Sequence, residues 1–171
     1  RIAETPKDAI ALVEGLGERD GLARIYAAID VVEQHHQTNR TTAVIGLGMG
    51  GSFAFDMAVD RGDVEAAVAF GGFPQRNFGR FKTCKTPLLA LYGKQDPHIA
   101  PPVLERLKRE LAESVLAAQH SVQTVEDLAH DFFADTFDPA QQYASRAALK
   151  IAIDFIDRYL TMPQRPARKV Y

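Results

Sequence analysis

Three turns in this chain carry side chains, or lack one, in a pattern that could do chemistry. Gly46-Leu47-Gly48-Met49-Gly50-Gly51 follows the β-branched run Thr41-Thr42-Ala43-Val44-Ile45. Asp96 follows Leu88-Leu89-Ala90-Leu91-Tyr92 across Gly93-Lys94-Gln95, and His130 follows a further strand-like run, Ser121 to Glu126. A strand that turns sharply through Gly-x-Nuc-x-Gly into a helix presents a nucleophile at the turn's apex. A histidine oriented by an acid can take that nucleophile's proton. Gly46 and Gly50 would let the strand turn without side-chain clashes, and the order along the chain is nucleophile position, acid, histidine. The apex itself, however, is Gly48, with neither hydroxyl nor thiol, so covalent attack by that side chain is impossible.

The same turn also spells Gly-x-Gly-x-x-Gly at Gly46, Gly48 and Gly51, a dinucleotide-binding pattern when it joins a strand to a helix. Such a site calls for an acid at the end of its second strand. Here Val64 to Phe70 ends in Gly71-Gly72-Phe73. The nucleophile-type turn is the better reading, and no cofactor is implied.

Other reactive side chains weigh less. Ser52, one turn into the following helix, is expected to bond back to that helix. Cys84 precedes the third strand, at the opposite end of the sheet from Asp96 and His130, and reads as a structural thiol. His35 and His36 close a helix, where positive charge is favourable; as neighbours they are expected to point apart, which argues against a shared metal. No spacing resembles a metal motif. His98, two residues past Asp96, is placed at the same mouth. Phe73 and Phe132 are expected on the pocket wall, with Phe78, Phe81 and Phe133 open to a pocket or a core role.

The positioning elements follow from periodicity. Thr5 to Gln37 reads as helix broken at Gly15-Leu16-Gly17, with Leu22, Ile25, Ile29 and Val32 on one stripe. Strands are expected at 41–46, 64–70, 87–92 and 121–126, and helices at 50–61, 101–119 and 139–160. The helix from Pro101 should bury Val103, Leu104, Leu107, Leu111, Val115 and Leu116, and Asp138 should cap the last one. Continuous apolar strands separated by helices predict an α/β fold, a three-layer parallel sheet with helices on both faces and about four strands. Chemistry in such sheets gathers at the C-terminal strand ends. The chain is read as one domain, with residues 1–38 a helical lead-in and 39–171 bearing the three turns.

Composition excludes some functions. The 171 residues are 46% hydrophobic and 25% charged with net charge −2, so neither a nucleic-acid nor a membrane surface is indicated. The basic residues Arg165, Arg168 and Lys169 form only a short tail. No run is apolar and long enough to span a bilayer, nothing reads as a signal peptide, and the lone Cys84 suits a reducing cytoplasm. The chain opens at Arg1, and residues upstream of it are expected.

Over nearly its whole length the sequence resembles the dienelactone hydrolase family of α/β-hydrolases. The resemblance is carried by Gly46 to Gly51, Leu91-Tyr92-Gly93-Lys94-Gln95-Asp96, Ala129-His130-Asp131-Phe132 and Phe137-Asp138-Pro139-Ala140. It implies hydrolysis of small esters or lactones through Asp96, His130 and position 48, with the backbone N–H of Met49 in an oxyanion hole. The family turn reads Gly-x-Cys-x-Gly-Gly and its histidine loop His-Gly-Phe; this chain has Gly48 and Asp131 instead. Members also place several strands before the turn. The activity is therefore expected to be impaired or altered, with a non-catalytic small-molecule-binding module as the alternative and, behind it, a dinucleotide-binding domain using Gly46, Gly48 and Gly51. The open edge of the first strand should be covered by upstream strands or by a second chain.

Overall fold

The computed structural model describes residues 4, 5, 8, 18–133 and 138–160. The chain forms two compact units, residues 1–40 and 41–171. In the first, helix α1 spans Glu18–Gln34. The expected break at Gly15-Leu16-Gly17 lies outside the described residues, as do Phe137 and the basic tail.

In the second unit, strand β1 (Ala43–Leu47) runs into helix α2 (Met49–Asp60), followed by β2 (Ala66–Phe70) and β3 (Leu88–Gly93). Helix α3 (Pro101–Ala112), β4 (Ser121–Val125) and helix α4 (Pro139–Leu160) complete it. The strands form one parallel sheet in the order β1-β2-β3-β4, with Ile45 opposite Val68, Val68 opposite Leu89, and Leu91 opposite Gln123.

Every residue of β2 and β3 is buried, and strand alternation explains why. Ala67, Ala69, Leu88, Ala90 and Tyr92 pack with Phe55 and Ala58 of α2 and Leu107 and Leu111 of α3. The intervening Ala66, Val68, Phe70, Leu89 and Leu91 pack with Ala144, Ala148, Ala152 and Phe155 of α4. Three alanines four residues apart let α4 lie close to the sheet. The result is the expected three layers. Removing one such buried leucine side chain, as in Leu89→Ala, costs about 2–5 kcal/mol.

The helix starting at Pro101 ends sooner than its apolar pattern suggests. It stops at Ala112, and only the short 3-10 turn Ala117–Gln119 follows. Ser114 Oγ accepts the Leu116 N–H at 3.2 Å, a local bond that competes with helix continuation. Val115, expected on the buried face, is consequently 90% exposed. The cap on α4 is as expected: Asp138 Oδ1 accepts the Ala140 N–H at 2.9 Å. Among the described residues no helix is long and apolar enough to cross a membrane.

Candidate active site

The turn after β1 is built from backbone approaches that only particular glycines permit. Gly48 takes φ 52° and ψ −115°, a conformation natural to glycine and strained for other residues. Its N–H donates to Phe70 O at 2.8 Å, and its carbonyl accepts the Gly51 N–H at 2.9 Å. These bonds seat the first turn of α2 on the end of β2. A Cβ at Gly46 would lie 2.0 Å from Gly50 O, and one at Gly72 would lie 2.5 Å from Gly51 C. Gly46, Gly51 and Gly72 are therefore steric requirements. Gly50, expected to serve the same purpose, has nothing within 4 Å of its Cβ position, and neither does Gly48.

Ser52 does not bond back to its helix as expected. Its buried Oγ accepts the Phe73 N–H at 2.9 Å, fastening α2 to the loop after β2. Tyr92 does similar work from β3: its hydroxyl donates to Gly72 O at 2.9 Å. Burial, and secondarily the negative charge of Asp96, pushes that phenol upward and keeps it a neutral donor.

The loops after β3 and β4 are stitched together. Lys94 N–H donates to Val125 O and Gln95 N–H to Leu128 O, both at 2.9 Å. A Cβ at Gly93 would meet Ala129 O at 2.1 Å, so the close approach again requires glycine. Asp127 turns the second loop with φ 57°, a left-handed value that aspartate tolerates better than most residues. This arrangement brings His130 Nδ1 to 2.8 Å from Asp96 Oδ2, although the two residues are 34 apart in sequence. Asp96 Oδ1 meanwhile accepts the His98 N–H at 2.8 Å.

The Asp96 side chain is 2% exposed and that of His130 24%. With a carboxylate as its partner, Nδ1 carries the proton and Nε2 is left as the basic nitrogen. Gly71, at φ 62°, lies against His130: a Cβ there would sit 3.2 Å from its backbone oxygen and in ordinary contact with its ring, 3.4 Å from Cε1. The next residue back, Phe70, is the one whose carbonyl holds Gly48. The turn, the acid and the histidine thus meet at the C-terminal edge of the sheet.

His98 stands edge-on to the His130 ring with centroids 4.9 Å apart, and Phe73 lies at 5.5 Å. Phe132, expected on the pocket wall, belongs instead to the core, packed on Phe70 at 5.2 Å. The strand's inward apolar face captures it. Phe81, and Phe78 beside it, pack in the core between the sheet and α2 and α3. Cys84 is fully buried, donates to Ala58 O and Thr86 O, and is pushed up to about 11 by burial. His35 and His36 do not point apart; their rings stack at 4.6 Å. No group of three or more potential metal ligands occurs among the described residues.

Gly71, Gly72, Tyr92 and Gly93 were not singled out in the sequence as site-building residues. The one available signal was a glycine pair directly after a fully apolar strand.

The model of the dienelactone hydrolase family matches residues 2–160. A Klebsiella pneumoniae protein described as a candidate dienelactone hydrolase is structurally similar, with TM-score 0.78 and 18% identity over 92% of this chain and 69% of that one. A dienelactone hydrolase from Anabaena variabilis gives 0.67 and 22% over the same shares. A Paleococcus ferrophilus monoacylglycerol lipase gives 0.63 and 12%, covering 80% of this chain and 75% of that one. No curated protein matches the sequence.

Proposed function

Because the chain belongs to the dienelactone hydrolase family, we propose that it is a hydrolase-like protein for small esters or lactones that keeps the acid–histidine pair but forms no covalent acyl intermediate. Asp96 and His130 are the polar machinery, and Gly48 occupies the apex where a nucleophile would stand. Met49, the first residue of α2, offers an N–H with no acceptor inside the helix, suited to a developing oxyanion. Phe73 and His98 flank the histidine and would contact the acyl compound. The observation that carries this reading is the 2.8 Å contact between His130 Nδ1 and Asp96 Oδ2 beside an apex in the strained turn conformation. The single buried thiol is consistent with a cytoplasmic setting.

Intact-mass measurement during exposure to a fluorophosphonate tests the covalent part. The wild-type chain is expected to stay unmodified, and Gly48→Ser to take up one adduct. The Cβ position meets nothing within 4 Å, so the strained φ, not a clash at Cβ, is what opposes the new side chain. An adduct on the wild-type chain, at Ser52 or elsewhere in the site, would overturn this assignment.

A further inference from the structure

We propose that the site hydrolyses esters by direct attack of a water molecule bound over Gly48, with His130 as the base. The proposal rests on the assignment of Asp96 and His130 above and supplies the nucleophile that Gly48 does not. Nothing lies within 4 Å of the Gly48 Cβ position, so the direction in which a nucleophilic side chain would project is open. A water there is close to the position of a side-chain oxygen. Its polar partners are His130 Nε2, which has no hydrogen-bond partner among the described residues, and the Gly50 N–H in the first turn of α2, the Gly51 N–H being already given to Gly48 O. The imidazole is held for the purpose. Asp96 fixes Nδ1, Gly71 lies against the His130 backbone and ring, and Gly48 hangs from the carbonyl of the adjacent Phe70.

The chemistry balances without any further reactant. The water oxygen forms a bond to the acyl carbon while one of its protons passes to His130 Nε2, and Asp96 stabilises the imidazolium. The carbonyl electrons move onto oxygen, where the Met49 N–H can donate to them. Collapse of this intermediate breaks the bond to the leaving oxygen, which takes the proton from Nε2. The products are a carboxylic acid and an alcohol, and the histidine is neutral again. Direct attack does not divide the reaction into two easier steps. The fitting substrates are therefore esters or lactones whose leaving oxygen is a stable anion, a phenol or an enol.

The test is hydrolysis of 4-nitrophenyl acetate by the chain and by His130→Ala, with His130→Gln as a second variant should alanine fail to fold. The expected course is linear release of nitrophenolate from the first turnover, with no acetyl adduct by mass. Loss of the base should slow it by about 10²-fold or more. A wild-type rate no faster than that of the folded His130 variants overturns the water mechanism and leaves the non-covalent assignment standing. A burst, or an acetylated chain, overturns that assignment instead.

Discussion

Gly46 and Gly48 belong to one turn, yet the backbone asks different things of them. At Gly48 the demand is conformational. Its φ of 52° strains any other residue, but a Cβ would touch nothing within 4 Å. At Gly46 the demand is spatial, since a Cβ would lie 2.0 Å from the backbone oxygen of Gly50. Gly48→Ala is therefore expected to destabilise by about 1–3 kcal/mol, the usual strain of such a conformation. Gly46→Ala must displace the head of α2 and should cost more. Urea denaturation of the two variants ranks them, and the reverse order would show that the turn is not held as described. The substitutions also separate strain from chemistry, because neither alanine adds or removes a reactive group.

At the scale of elements, His120 couples the end of the segment after α3 to the start of β3. Its Nδ1 accepts the Leu88 N–H at 3.2 Å, and its Nε2 lies 2.8 Å from Ser114 Oγ. The ring therefore sits neutral with the proton on Nε2. Burial lowers its pKa from 6.5 to about 4. Below pH 6.5 the unfolded chain binds a proton at this residue that the folded chain refuses, so folding stability falls with pH and the loss is complete near pH 4. Denaturation midpoints measured across that window should drop in the wild type. In His120→Gln, which keeps polar atoms but does not titrate, the drop should be smaller. Equal slopes for the two proteins would remove His120 as the cause.

At the scale of the whole molecule, the sheet places its elbow-bearing strand at an edge. Among the described residues, β1 pairs with β2 on one side and is the last strand of the sheet on the other. Ile45 and Leu47 on that strand are 49% and 52% exposed. An apolar edge strand invites pairing with another chain. These 171 residues expressed alone are accordingly expected to self-associate as concentration rises, and Ile45→Lys should oppose it by charging the edge. Sedimentation velocity reads both. A wild-type chain that stays monomeric throughout would show that this edge recruits no partner.

What the amino-acid sequence determined by itself was local in origin. The continuous apolar runs of β2 and β3 and the capped start of α4 at Asp138 depend on neighbours a few positions apart, and the order of the turn, Asp96 and His130 is read directly along the chain. Strand and helix bounds accordingly fall within about two residues of those read from periodicity, except at the ends of α1 and α3. Tertiary structure decided whatever depends on groups distant in sequence. The Asp96–His130 contact is one case, and the choice of Phe73 N–H as the partner of Ser52 is another. The burial of Phe132 against Phe70 and the stacking of His35 on His36 follow the same rule of packing over local preference. The glycines make the division sharpest. Six residues of turn sequence mark Gly46 and Gly50 alike, but only the approach of α2, the β2 end and the histidine loop shows that Gly46, Gly51, Gly72 and Gly93 have no room for a side chain while Gly48 and Gly50 do. Steric exclusion is a property of two surfaces in contact, and one stretch of chain contains only one of them.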